Sequence, residues 1–202
     1  MTEHYYSPKQ SSKGANKKIP IRFNRKGEMV YFELYSAPGI FGKDKLDNAT
    51  KLLIENAKIE QRWKLLDLGC GYGVVGLAMK RISPDLEVWM SDVNERAIEL
   101  AEKNANKLKL DTTVISSDIF SNIPDEFDCI LLNPPYAAGR KLCFKMINDS
   151  FSHLKKKGWF QLVARHNKGG KVLGEYMHEI FGNVDVVAKK GGFRVYISQK
   201  TS

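Results

Sequence analysis

Between residues 63 and 181 the chain alternates short apolar runs with longer amphipathic stretches, and this alternation constrains the fold more than any other feature. The apolar runs predict strands, at 63–68, 86–90, 113–115, 127–132 and 159–163. The stretches between them carry apolar residues at helical spacing and predict helices, at 74–82, 94–108, 142–154 and 172–181. Strands that alternate with helices are typical of βαβ units. We therefore predict the α/β fold class, with a mostly parallel sheet and helices on both faces.

The segments on either side of this region predict two hairpins and one further helix. Residues 21–23 and 29–34 predict antiparallel strands around a turn at 24–27. Asp47 is placed to cap a helix that follows it. At the other end, strands at 184–187 and 193–198 flank a short loop with two glycines and predict a closing antiparallel hairpin.

The length of 202 residues suits one domain with a modest extension. Residues 1–18 are mainly Ser, Lys, Gln, Asn and Gly and predict a flexible basic N-terminal arm, whereas 19–202 predict the domain itself. No apolar run approaches the ~18 residues that a membrane span needs. Residues 1–20 also lack the apolar core of a secretory signal. We therefore expect a soluble, cytoplasmic protein with no membrane partner.

The net charge of +9 is concentrated at the two ends of the chain. Residues 1–26 carry seven Lys and Arg against one Glu, and residues 155–200 carry ten against three acids. Basic ends around a mildly acidic middle fit a polyanionic partner, with nucleic acid first. A disordered tail and a solvated helix end would explain the same charges, so the pattern alone leaves both interpretations open.

The cysteines and histidines show no spacing that is typical of a metal site. The three cysteines, Cys70, Cys129 and Cys143, include no CxxC pair, and two of them lie inside apolar stretches. We therefore expect buried, reduced thiols, without a disulfide framework and without a bound metal.

A glycine-rich loop follows the first apolar run, in the string LLDLGCGYG. Gly69, Gly71 and Gly73 alternate along it, which lets the backbone turn sharply and approach a ligand closely. The string GYGVVG that begins at Gly71 also fits the GxGxxG pattern of dinucleotide sites, but that signal is weak. Asp67 ends the strand before the loop, where a carboxylate can reach a cationic ligand group through water. This position favours a ligand with a cationic aminoacyl end over a pyrophosphate.

Two further strands also end in polar residues. Asp92 ends the second strand, where a carboxylate suits bonding to ribose hydroxyls. Helix capping is the alternative role, although Asn94 is already placed to act as the cap. Ser117, Asp118 and Ile119 follow the third strand, and taken alone Asp118 is an ordinary loop acid.

The fourth strand leads into Asn133, Pro134, Pro135 and Tyr136. Two prolines fix the backbone and donate no N–H, so the Asn133 side-chain oxygen and the Pro134 carbonyl can both accept from one NH2 group. Tyr136 offers an aromatic face on which a base can stack. Taken alone, this string could equally be a turn after a buried strand. Residues 165–167 follow the fifth strand and are a candidate substrate rim, with an exposed polar loop as the alternative.

The order of these motifs resembles the small methyltransferase-domain family. The similarity extends to the segment 39–47 and to the closing hairpin, and covers about residues 29–199. It implies a Rossmann-like class I methyltransferase fold, in which a seven-stranded sheet ends in an antiparallel hairpin. It also implies S-adenosyl-L-methionine as the methyl donor and S-adenosyl-L-homocysteine as the product.

The resemblance also implies roles for the motif residues. The implied cofactor-binding residues are Asp67, Gly69, Cys70, Gly71, Gly73, Asp92, Val93, Ser117, Asp118, Ile119 and Asn133, with Asp118 at the adenine amino group. The implied catalytic residues are Asn133, Pro134, Pro135 and Tyr136.

The expected reaction is methylation of an exocyclic amine of a nucleobase in RNA, with guanine N2 in ribosomal RNA as the first choice. Adenine N6 and the glutamine amide of a protein are alternatives, because each presents a planar nitrogen to the same motif. The basic ends favour nucleic acid over a protein substrate. An RNA-binding relative without catalysis is a further alternative, against which the intact Asn133, Asp92 and glycines argue.

Overall fold

The computed structural model describes residues 16–38 and 45–201. The strands in these ranges are β1 (Lys17–Arg25), β2 (Glu28–Ser36), β3 (Lys64–Leu68), β4 (Glu87–Asp92), β5 (Thr113–Ser116), β6 (Phe127–Leu132), β7 (Leu154–Arg165), β8 (Asp185–Lys190) and β9 (Phe193–Gln199). The helices are α1 (Asn48–Asn56), α2 (Val74–Ile82), α3 (Glu95–Leu108), α4 (Arg140–Ser152) and α5 (Gly170–Phe181). Two short 3-10 turns lie at Tyr136–Ala138 and His166–Lys168.

Seven strands form one sheet in the order β5-β4-β3-β6-β7-β9-β8. The strands from β3 to β7 pair in parallel, whereas β9 is antiparallel to both β7 and β8. The prediction of a mostly parallel seven-stranded sheet with a C-terminal antiparallel hairpin is therefore confirmed. The strand order reverses between β3 and β6, which lie side by side at the centre. In such a sheet, the carboxyl ends of the strands at the reversal border the ligand cleft.

Two apolar cores cover the two faces of this sheet. One core joins the sheet to α1, α2, α3 and the β1–β2 hairpin, and the other joins it to α4 and α5. Within β6, Cys129 and Leu131 belong to the first core, whereas Ile130 and Leu132 belong to the second. A strand buried on both faces explains why this segment is a nearly continuous apolar run. All three cysteines are buried free thiols, as predicted.

β1 and β2 form a separate two-stranded antiparallel sheet, so the predicted N-terminal hairpin is confirmed with longer strands. The guanidinium of Arg25 donates to the carbonyls of Ile54 (2.5 Å) and Ala57 (2.6 Å), which fastens the hairpin to the end of α1. Because β1 begins at Lys17, the last two residues of the predicted arm belong to a strand. Residues 1–15 of that arm, and 39–44 of the segment that resembles the family, lie outside the described residues.

β7 begins five residues earlier than its apolar run. Residues 155–157 are all lysine, yet Phe127 of β6 lies opposite Leu154, and the backbone N–H of Lys157 donates to the carbonyl of Lys200 (2.8 Å). Backbone hydrogen bonds to both neighbours therefore extend this strand beyond its apolar part.

None of the helices in the described ranges is long and apolar enough to cross a membrane.

Candidate active site

The glycine loop between β3 and α2 turns through three left-handed residues, Gly69, Gly71 and Gly73, with φ of 71°, 56° and 86°. A side chain would be strained at each position. At Gly73 a Cβ would also lie 3.1 Å from the Met90 sulfur. The backbone N–H groups of Gly69 and Cys70 both donate to the carbonyl of Ser91 (2.8 Å), which ties the loop to the end of β4.

Asp67 is buried at the end of β3 and holds the far side of the same loop. Its Oδ2 accepts a hydrogen bond from the backbone N–H of Gly76 (2.8 Å) in the first turn of α2. Burial raises the pKa of Asp67 to about 7, and the neighbouring charge of Asp92 acts in the same direction, while the bond from Gly76 opposes it. A cation placed beside such a buried carboxyl group would favour its charged form.

Asp92 lies 3% exposed at the end of β4, where two backbone amides position its carboxylate. Oδ2 accepts from the N–H of Gly71 and Oδ1 from the N–H of Asn94, both at 2.9 Å. Asn94 caps α3, accepting from Arg96 N (3.1 Å). Asn94 therefore acts as the cap, as predicted, and Asp92 accepts a hydrogen bond from the glycine loop. Val93, between them, is half-buried.

The third strand end lies beside the second. The backbone N–H of Ser117 donates to the carbonyl of Asp92 (3.0 Å), and its Oγ accepts from Asn122 N (3.1 Å). Asp118 is exposed, whereas Ile119 is buried and adopts a left-handed conformation with φ of 55°. The ends of β3, β4 and β5 thus bring the predicted cofactor-binding residues to one edge of the sheet.

Asn133 lies directly after β6 and is half-buried. Its Nδ2 donates to the Thr50 hydroxyl oxygen at 2.9 Å, across 83 positions of sequence. Thr50 is itself fixed, because α1 is capped by Asp47, whose Oδ1 accepts from the N–H of Ala49 (2.9 Å) and Thr50 (3.0 Å). With its nitrogen engaged by Thr50, the Asn133 amide presents its oxygen as the acceptor for another group.

The rest of the motif forms a tight turn that packs against the start of α5. The Pro134 carbonyl accepts from the N–H of Tyr136 (2.9 Å), which leaves its second lone pair for another donor. A Cβ on Gly169 would lie 2.7 Å from the Tyr136 ring. The Tyr136 hydroxyl is buried without a hydrogen-bond partner among the described residues, and burial raises the pKa of Tyr136 well above its usual value. The ring on which we expect a base to stack is therefore half-buried.

A basic rim borders this turn on the side of β7 and β9. The N–H of His166 donates to the carbonyl of Gly192 (2.9 Å), which brings the 165–167 turn against the β8–β9 loop. This places His166 in the field of Arg194, Lys171 and Lys189, and these three cations, together with Arg165 and Lys168 beside His166 in the chain, form the basic rim. Desolvation, and then the positive charges of Arg194, Lys171 and Lys189, lower the pKa of His166. The Arg165 guanidinium lies 5.4 Å from the centre of the Phe193 ring.

Three features of this site were not predicted. Thr50 gave no local signal, because its contact with Asn133 depends on how α1 crosses the sheet. The close approach of backbone at the start of α5 could have been found from the paired glycines at 169 and 170. In the structure, a Cβ on Gly170 would lie 2.7 Å from the Arg165 carbonyl oxygen. The 165–167 turn meets the β8–β9 loop because β7 pairs with β9 in the antiparallel direction, which is a contact between distant segments.

The residues present fit S-adenosylmethionine. Its charged aminoacyl end suits the buried Asp67, its ribose suits Asp92, and the left-handed glycines let backbone approach it closely. Ser117, Asp118 and Ile119 stand where the adenine is expected.

Comparison with known proteins is consistent with this geometry. The sequence model named "Methyltransferase small domain" matches residues 31–197. The uncharacterized protein YbxB of Bacillus subtilis is 36% identical over 99% of this chain and 100% of its own length. Ribosomal RNA small subunit methyltransferase C of Haemophilus influenzae is 33% identical over 81% of this chain, but the match covers 50% of the relative. The chain therefore spans about half the length of the relatives that bear this second name.

Among solved structures, a 16S rRNA N2 methyltransferase (RsmC) of T. thermophilus, in complex with AdoMet and guanosine, shares the fold with a TM-score of 0.75. It is 22% identical and covers 95% of this chain and 53% of its own. The family match spans most of the sequence, and the fold agrees with it. The chain thus belongs to the methyltransferase small-domain family of S-adenosylmethionine-dependent methyltransferases.

Proposed function

We propose that this protein transfers the methyl group of S-adenosylmethionine to the exocyclic N2 amine of a guanine in ribosomal RNA. The observation that carries the proposal is the Asn133 amide, which Thr50 holds by its nitrogen at 2.9 Å. The amide oxygen is thereby available to accept a hydrogen from a planar amine. The carboxyl ends of β3 and β6 lie side by side, so this acceptor stands next to the glycine loop.

The cofactor, when bound, supplies a methyl group made electrophilic by a neighbouring positive sulfur. The glycine loop, Asp92 and the 117–119 turn would hold it against the strand ends. Asp67 would face its cationic end, where the charge of the ligand favours the ionised carboxylate. These residues would bind and orient the cofactor, and none of them needs to move a proton.

Asn133 and the Pro134 carbonyl orient the accepting amine. Two acceptors hold its two hydrogens in one plane, so the nitrogen lone pair points out of that plane toward the methyl carbon. Methyl transfer makes the nitrogen positive and its N–H groups better donors, so both hydrogen bonds strengthen toward the transition state. Catalysis is then mainly positioning and electrostatic stabilisation, and the methylated amine can release its proton to water.

The basic rim supports a nucleic-acid substrate. Three of its cations, Arg194, Lys171 and Lys189, act on His166, and Glu175 also contributes to the field there. Such a rim neutralises backbone phosphates next to the base that reaches Asn133. The half-buried Tyr136 ring, braced by Gly169, offers its remaining surface to that base.

The relatives named above support ribosomal RNA as the target class, and the solved relative was crystallised with guanosine. Adenine N6 and a protein glutamine amide present the same planar NH2 group, so the amine-binding residues alone do not separate them from guanine N2. The charge of the rim favours the nucleobases.

The test is transfer of a labelled methyl group into total RNA from a strain that lacks this protein, followed by digestion and identification of the labelled nucleoside. We expect N2-methylguanosine, formed by the wild type and lost in Asn133→Ala. Label in N6-methyladenosine, or no label in RNA, would reject the guanine assignment.

A further inference from the structure

The outer face of the β1–β2 hairpin carries basic and aromatic side chains together. Alternate residues of the two strands lie on this outer face, and they include Lys18, Arg22, Met29 and Tyr31, together with the half-buried Glu33 and Tyr35. Met29 is 62% exposed and Tyr31 is 50% exposed, which is unusual for side chains of this size. The inward residues of the same strands, by contrast, belong to the main core.

Three lysines converge on the ring of Tyr35. The ammonium of Lys18 lies 6.0 Å from the ring centre, that of Lys103 lies 4.5 Å away, and that of Lys107 lies 4.7 Å away. Lys18 comes from β1 and the other two from α3, so the cluster is formed by tertiary packing. We call this group, Lys18, Tyr35, Lys103 and Lys107, the Tyr35 patch.

The Tyr35 patch has a rigid base. Asn104 is buried in α3 and binds the backbone of Tyr35 twice, accepting from its N–H (2.7 Å) and donating to its carbonyl (2.9 Å). The same amide donates to the Tyr72 carbonyl (2.9 Å) in the glycine loop. The patch is therefore held in place relative to the cofactor-binding loop.

The charges of the Tyr35 patch are only partly balanced. Glu33 approaches Lys107 at 3.9 Å, and no ion pair within 16–38 and 45–201 involves Lys18 or Lys103. Three cations around one ring repel one another, and an anion seated between them would relieve that repulsion. Arg22, 5.9 Å from the Tyr31 ring, extends the positive surface along the hairpin.

We propose that the Tyr35 patch binds the phosphate backbone of RNA and is a second contact, separate from the catalytic cleft. The proposal rests on the proposed function for the identity of the partner. Clustered ammonium groups around the half-buried Tyr35 ring, next to the exposed Tyr31 ring, are a combination that binds RNA through phosphates and stacking. Lys18 faces Tyr35 and Arg22 faces Tyr31 across the ladder, four residues apart, so the surface is about 13 Å long.

The test measures binding of a fluorescent, unmodified transcript of a small-subunit rRNA fragment over a series of salt concentrations. The variant is Lys103→Gln with Lys107→Gln, and Lys18→Gln is a second variant on a different element. The matched control is Lys145→Gln with Lys156→Gln, which removes two charges from α4 and from the start of β7. Thermal unfolding checks that all variants fold.

We expect the slope of log K against log salt to fall by up to about 0.7–0.9 for each phosphate that a variant no longer neutralises. The control should keep the wild-type slope, and the rate of methyl transfer at saturating RNA should stay unchanged in every variant. Slopes of the patch variants equal to that of the control would overturn the proposal.

Methyl incorporation by the wild type is scored separately. If the patch variants show a reduced slope while the wild type methylates no RNA, the Tyr35 patch stands and the proposed reaction fails. If the wild type methylates RNA but the patch variants keep the wild-type slope of log K against log salt, the proposed reaction stands and the Tyr35 patch fails.

Discussion

Replacing Thr50 with valine tests whether the Asn133 amide is held by its nitrogen. Valine has almost the same shape as threonine, so Thr50→Val removes the hydroxyl acceptor and little else. The Asn133 Nδ2 group is then without its partner, and the amide can turn its oxygen away from the substrate. Thr50→Ser keeps a hydroxyl at the same place and serves as the matched control.

The size of the effect follows from the hydrogen bond that is removed. Leaving a buried donor without a partner costs about 1–3 kcal/mol. When that free energy favours the orientation in which the amide oxygen is turned away from the substrate, the rate falls. At roughly 1.4 kcal/mol for each tenfold change in rate, the fall is about 5- to 150-fold. Because Asn133 is half-buried, we expect the lower part of the range, about 5- to 30-fold in kcat. Asn133→Ala removes the acceptor itself and should cost more, roughly 10²–10³.

The assay is single-turnover methyl transfer at saturating RNA, with S-adenosylmethionine affinity measured by calorimetry. We expect Thr50→Val to slow transfer and to leave cofactor affinity near that of the wild type, while Thr50→Ser stays close to the wild-type rate. The double variant Thr50→Val/Asn133→Ala should be no slower than Asn133→Ala, because both changes act on one amide. A wild-type rate for Thr50→Val, or an equal loss for Thr50→Ser, would refute this account of the amide.

Four other changes have defined outcomes. Asp92→Ala should weaken S-adenosylmethionine binding by calorimetry, and unchanged affinity would remove Asp92 from the cofactor site. Gly169→Ala places a Cβ 2.7 Å from the Tyr136 ring at a φ of 97°, so both the melting temperature and kcat should fall. Arg165→Ala should raise KM for RNA and leave cofactor affinity intact; equal kinetics would assign the residue to the scaffold. Burial raises the pKa of Asp67 to about 7, above its unfolded value near 4, so the folded protein binds more protons between these values. The free energy of unfolding should therefore fall as pH rises through that window, and urea titrations of Asp67→Asn should show a smaller fall.

The sequence was sufficient for the fold because its apolar periodicity and its strand-end residues are local features. The run 127–132 is apolar at every position except Asp128, and it forms the doubly buried β6. The polar residues after β3, β4 and β5 came together because parallel strands end at the same edge of a sheet.

The features that the sequence did not predict depend on contacts between distant elements. The hydroxyl of Thr50 meets Asn133 only because α1 crosses the sheet in one orientation. Lys18 and Lys103 meet at Tyr35 because Asn104 fixes the hairpin to α3. The half-burial of Tyr136 likewise depends on the approach of Gly169, which no pattern near residue 136 encodes.

The most direct test of the central claim is the identity of the nucleoside that receives the methyl group. RNA from a strain without this protein is incubated with labelled S-adenosylmethionine and the wild-type protein or Asn133→Ala, then digested and separated. We expect label in N2-methylguanosine with the wild type and a loss of roughly 10²–10³ in rate with Asn133→Ala. Label in another nucleoside, or an Asn133→Ala variant that transfers at the wild-type rate, would contradict it.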